Sequence, residues 1–103
     1  MNITVGGCYR VKTWEEMEEE YGLNVYGNID VPFIFIPDME YLCNKVVKVV
    51  SIELVHSSYG FTNKILVQNE SWRFSEEMLK PLYTLKNILE EKKLLYEENS
   101  NEN

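Results

Sequence analysis

Five glutamates crowd residues 15–20: Glu15, Glu16, Glu18, Glu19 and Glu20. Closely spaced carboxylates can imitate phosphates and occupy a basic groove. They can equally form the solvated outer face of a short helix, the commoner fate of a charge run. Catalysis finds less support. Glu76 and Glu77 are adjacent, and adjacent residues on a helical turn point apart instead of forming an acid–base pair. Asp30 and Asp38 flank an apolar loop, where Asp38 is placed to cap a turn. There is no glycine-rich phosphate loop, no nucleophile elbow and no metal-binding histidine pair. His56, the single histidine, follows the apolar end of a strand, and with Cys8 and Cys43 it lacks metal-finger spacing. The expectation is a protein that is not an enzyme and uses no metal and no cofactor. Tyr26 and Tyr59 stand beside glycines in turns and are the candidate exposed contact residues.

Charge narrows the partner class. The 103-residue chain has a net charge of −7, unevenly spread. Residues 1–44 hold eight acids and two bases, a balance of −6. Residues 45–83 hold four acids and five bases, a balance of +1, and residues 84–103 hold five acids and three bases, a balance of −2. A phosphate backbone prefers a basic footprint, and no basic run exists, so direct nucleic-acid binding is disfavoured. A basic protein surface would be attracted. No apolar run approaches the roughly 18 residues of a membrane helix, so no membrane partner is expected. No basic start followed by an apolar stretch marks residues 1–20 as a secretory signal. The expected location is the cytoplasm, with Cys8 and Cys43 as two buried free thiols.

The elements that must position these groups can be read in order. Residues 1–7 give a brief β signal ended by Gly6-Gly7. Cys8 to Lys12 alternates, with Tyr9 and Val11 on the apolar side. Thr13 is an N-cap with Glu16 at the capping-box spacing. Trp14, Met17 and Tyr21 share one helical face, and Gly22 is a natural stop. Phe33 to Ile36 reads as a short extended stretch between Pro32 and Pro37, and Asp38 as the cap of a turn over Met39–Leu42. Asn44 suits a left-handed backbone. Lys45 to Val55 is the strongest β segment, apolar on both faces, which predicts a curved central strand packed on both sides. A turn over Ser57–Gly60 leads to a strand over Lys64–Gln68. Trp72-Arg-Phe74 predicts a short strand with both aromatics inward. Ser75 caps a turn over Glu76–Leu79, and Pro81 ends it. Trp14, Met17, Val47, Val49, Trp72 and Phe74 should share one core. Leu85, Ile88, Leu89, Lys92 and Leu95 approximate the stripe of an amphipathic helix over residues 84–98, and residues 99–103 read as a polar, disordered tail.

Arg10-Val-Lys-Thr-Trp-Glu-Glu-Met17, Glu20-Tyr-Gly22, Met39-Glu-Tyr-Leu-Cys43 and Trp72-Arg-Phe-Ser-Glu-Glu-Met78 together carry a resemblance. Over about residues 7–83 the chain resembles small SH3-like barrel proteins of phages and prophages of low-GC Gram-positive bacteria. Asn44 stands where glycine is usual in that pattern. The resemblance implies a mainly β fold, an SH3-like barrel (residues 1–83) with short helical insertions, followed by the C-terminal helix. It transfers no active site. By analogy of habitat and charge, it points to a phage-encoded inhibitor of a host nucleic-acid-handling enzyme or defence nuclease, as CRISPR inhibitors are. The acidic face, with Tyr26 and Tyr59, would meet a basic surface of that host enzyme. The alternative is a structural or accessory phage protein that assembles through the barrel edge and the C-terminal helix.

Overall fold

In a computed structural model the described residues are 2–82. Tyr83, the expected helix over residues 84–98 and the tail 99–103 lie outside them. Alternation sets the first strand, β1 (Cys8–Val11): Tyr9 and Val11 are buried, and Cys8 faces outward. Both thiols are free, but Cys8 is exposed, which corrects the expectation of two buried cysteines. Its position on the outer side of the alternation is the reason. Residues 2–7 form no strand. Gly6 adopts φ 87, and the amide of Gly6 donates to the Val49 carbonyl at 2.8 Å, so the segment turns over the sheet without extending it.

Helix α1 (Trp14–Tyr21) begins and ends where its caps dictate. The Glu16 amide donates to Thr13 Oγ1 at 3.2 Å, and the Thr13 amide donates to Glu16 Oε1 at 3.2 Å. Gly22 closes the helix at φ 75 and ψ −178, a region open almost only to glycine. Met17 is buried, and Trp14 and Tyr21 pack against the same core.

The stretch after the helix departs most from expectation. Phe33 and Ile34 are not extended: they take positive φ of 68 and 54, and the Ile34 amide donates to the Val31 carbonyl at 2.8 Å. Pro32 leads the chain into this tight turn, which brings Phe35 back to bridge Ile29. A 3-10 helix comes next over Pro37–Leu42, with Pro37 in its first turn and Ile36, not Asp38, in the cap position. Asn44 has the expected left-handed φ of 65.

Among the described residues β1, β2 (Val46–Ser57), β3 (Gly60–Val67) and β4 (Leu79–Pro81) form a four-stranded, antiparallel, open sheet in the order β3-β2-β1-β4. β2 pairs with β3 and is bulged between Val49 and Ser51. An extra residue in one strand of a pair re-aims the side chains beyond it. Val47 and Val49 are buried, whereas Val50 and Leu54 are exposed, so the strand is not packed on both faces as expected. Beyond the Ile52–Ile65 pair, which still packs on the core, the β2–β3 hairpin runs out past it.

Trp72 to Phe74 makes one bridge, Phe74 to Ile65, instead of a strand. Phe74 is wholly buried. Trp72 is half-buried, because its indole donates to the Tyr41 hydroxyl at 2.8 Å near the surface. Ser75 occupies the cap position of a 3-10 turn over Glu76–Met78 but makes no capping bond. Its hydroxyl oxygen is buried with no hydrogen-bond partner among the described residues. β4 (Leu79–Pro81) then pairs with β1, with Pro81 opposite Tyr9, so Pro81 belongs to an edge strand and does not end a helical turn. Met17, Val47, Val49 and Phe74 lie in one buried cluster, with Trp14 and Trp72 packed on its margin.

Candidate functional site

Five glutamates lie on or beside one short helix, but they do not do the same work. Glu16 is tied inward by the capping box and by Lys80, whose ammonium donates to its two carboxylate oxygens at 2.8 and 2.9 Å. That bond to Lys80 is the main reason its carboxyl titrates below the ordinary glutamate value. Glu20 is held by Lys12 at 2.8 Å, which likewise lowers its titration. The Lys12 ammonium also stands 5.1 Å from the Tyr21 ring centre. Glu15, Glu18 and Glu19 are exposed and take part in no ion pair among the described residues. Among the described residues the unpaired charge of the helix therefore reduces to these three.

Tyr26 is presented by a built turn. Helix α1 stops at Gly22, and the chain crosses from Leu23 to a bridge with Ile29. Between them, Asn24 Oδ1 accepts from the amides of Tyr26 at 2.9 Å and Asn28 at 3.1 Å. The Asn24 amide donates to the Asn28 carbonyl at 2.8 Å, and Gly27 at φ 78 donates to the Asn24 carbonyl. Those bonds hold the tip in place, while Val25 is 91% and Tyr26 84% exposed. Residues 15–30 contain six acids and no base, so this apolar tip is flanked by negative charge.

Tyr59 sits at the hairpin tip, where Ser57 Oγ accepts from its amide at 3.1 Å. Its hydroxyl donates to the Asp30 carboxylate, and this bond raises its own titration. The hairpin is thus latched to the loop that leaves the acidic helix. Beside the latch a cleft of about 340 Å³ opens, lined by Tyr21, Asp30, Tyr59, Phe61, Thr62 and Glu77 among others. The sequence signals for this cleft are separate: a turn tyrosine, an acid in a loop and an acid beside a 3-10 turn. Asp30, Tyr21, Phe61 and Glu77 carry no local mark of contact residues, since nothing local links residues about 30 positions apart.

His56 and Tyr41 make contacts within the fold. His56 lies near the end of β2, edge-on to Phe61 at 5.2 Å between ring centres. Tyr41 accepts from Trp72 and donates to Glu70 at 2.8 Å, which ties the Pro37–Leu42 turn to the chain after β3. Among the described residues no three His, Cys, Asp or Glu side chains are grouped to hold a metal ion. No described helix is long and apolar enough to cross a membrane. No family model matches the chain, and comparison with curated proteins and with solved structures gives no match.

Proposed function

We propose that this protein is a non-catalytic binding module, a phage-encoded inhibitor that covers a basic groove on a host nucleic-acid-handling enzyme or defence nuclease. The observation that carries this is the division of labour within α1. Glu16 and Glu20 are neutralised internally, while Glu15, Glu18 and Glu19 face solvent with no ion-pair partner among the described residues. The Val25–Tyr26 tip stands at the end of that helix and supplies an apolar anchor. Aromatic side chains in such positions dominate binding energy, whereas surrounding charge governs approach and specificity.

The same proposal includes an SH3-like barrel. Its supports are the final 3-10 turn leading into β4 against β1, and the Phe74–Ile65 bridge that draws the chain across from the far edge of the sheet.

The test begins with a partner captured from a bacterial lysate and identified by mass spectrometry. Its association rate is then measured at low and moderate salt. Replacing Glu15, Glu18 and Glu19 together by Gln should slow association and flatten the salt dependence, because three exposed charges are removed with little change in shape or helix propensity. An unchanged rate, with the fold intact, would sink the acidic-face proposal.

The hairpin favours a second reading, a structural or accessory phage protein that assembles through the edge of its sheet. Leu54 is 66% and Phe61 74% exposed, and among the described strands β3 stands at the edge of the sheet, bridged only at Ile65 by Phe74. Under that reading the triple Gln variant binds normally, and Phe61→Ser abolishes association.

A further inference from the structure

The cleft beneath the hairpin has a composition that neither the acidic helix nor the apolar tip shares. Asp30 and Glu77 reach it from different parts of the chain, one from the loop after α1 and one from the 3-10 turn before β4. Tyr59 and Phe61 supply aromatic surface, Tyr21 adds a wall whose hydroxyl already accepts from Lys12 at 3.2 Å, and no basic residue lines the cleft itself among the described residues. Neither carboxylate takes part in an ion pair among the described residues. Asp30 keeps acceptor capacity beyond the one bond it receives from Tyr59, since an ionised carboxylate offers about four lone-pair sites. Carboxylates beside aromatic rings suit an organic cation, which can use both kinds of surface at once.

We propose that this cleft receives an arginine side chain of the protein partner, with the guanidinium between Asp30 and Glu77 and its plane against Tyr59 or Phe61. A guanidinium fits for physical reasons. It is planar, so it stacks on an aromatic ring while its edge donates to carboxylates. It is weakly hydrated, so it gives up water readily on entering a half-enclosed site. The fold already contains a simpler version of the arrangement in Lys12, which lies over the Tyr21 ring while bonded to Glu20. The volume of about 340 Å³ accepts one such side chain but not a folded segment. The proposal rests on the binding-module reading and specifies it: the three helix glutamates attract a basic surface, and the cleft selects one arginine on it.

The experiment uses the full chain and a defined probe, the capped tripeptide acetyl-Gly-Arg-Gly-amide, monitored by NMR. Resonances of Tyr59, Phe61 and Glu77 should shift saturably. The lysine peptide should shift the same resonances at higher concentration, and the citrulline peptide, which lacks the charge, should leave them unmoved. Glu77→Gln, a substitution that breaks no internal ion pair among the described residues, should weaken the arginine peptide by about tenfold, as expected for one charge-assisted hydrogen bond. Asp30→Asn should do so as well, and Tyr59→Phe separates loss of the latch from loss of the aromatic wall. Equal binding of citrulline, or unchanged affinity in Glu77→Gln, would overturn the proposal. The helix charges are probed apart from this. The Glu15, Glu18 and Glu19 triple Gln variant should retain the tripeptide shifts at Phe61 while slowing association with a basic partner. A silent cleft beside salt-dependent association through the helix would remove the arginine site alone.

Discussion

Thr13 and Glu16 show how two side chains decide where an element begins. Each satisfies an amide of the other, and the same Glu16 carboxylate takes the Lys80 ammonium, joining the start of the helix to β4 across the sheet edge. Thr13→Ala should lower stability by about 1 kcal/mol in chemical unfolding, the usual cost of losing such a cap. The Lys80 bond also leaves a signature in pH. Glu16 titrates below its ordinary value of 4.5 in the folded protein, so its contribution is fully present above that value and is lost as pH falls through the lower, folded value. Unfolding measured from pH 7 down to pH 3 should therefore show a smaller acid loss in Glu16→Gln than in the parent. Partial exposure keeps the ion-pair share small, about 0–1 kcal/mol. The thiols separate on the same scale. Cys8 is exposed, whereas burial pushes the Cys43 thiol up. A thiol reagent added to the native protein should modify Cys8 first and Cys43 slowly, and denaturation should remove the difference. Equal native rates would contradict this burial pattern.

At the scale of elements, the connections are as informative as the strands. Gly22 stops the helix in a backbone region that other residues avoid, and a methyl group added there would touch nothing within 4 Å. Gly22→Ala should thus cost about 1–3 kcal/mol through conformation alone, read as a lowered unfolding midpoint without loss of the native spectrum. The hairpin offers the opposite contrast. Phe74 is wholly buried where the chain bridges Ile65, and Phe61 is exposed on the extended arm of the same β3 strand. Phe74→Ala should cost about 3–5 kcal/mol, whereas Phe61→Ser should stay within about 0.5 kcal/mol. Thermal unfolding of the two variants checks the ranking. A stability loss at Phe61 as large as that at Phe74 would show that the arm is packed in solution, and would remove it as a contact surface.

For the molecule as a whole, one asymmetry dominates. The acidic helix, the Val25–Tyr26 tip and the latched hairpin tip are joined through the loop over residues 22–30, while the internal cations Lys12 and Lys80 are engaged by Glu20 and Glu16. The segment that carries the exposed tip holds no base between residues 15 and 30. Removing three charges by the triple Gln substitution takes the net charge from −7 to −4, and should change long-range attraction while leaving the core untouched. The fold thus separates the charged groups that hold it together from those it leaves exposed.

Local chemistry alone determined much of this. The capping box, the Gly22 stop, the left-handed Asn44, the alternation of β1 and the inward places of Met17, Val47, Val49 and Phe74 could be read from neighbouring residues, because each depends on interactions within about one turn or one strand. The departures are of another kind. The turn at Phe33–Ile34 defies the preference of bulky residues for negative φ, and only the surrounding packing, with Phe35 returned to Ile29, holds it there. Leu54 shares a sheet face with Ile52, which packs against the core, yet it is exposed because the hairpin has by then passed the core, an extent that no local signal marks. The division of the five glutamates into two that are paired and three that are exposed required Lys80, 64 positions from Glu16. The cleft required Asp30 to meet Tyr59 and Glu77, and such meetings are set by the path of the whole chain.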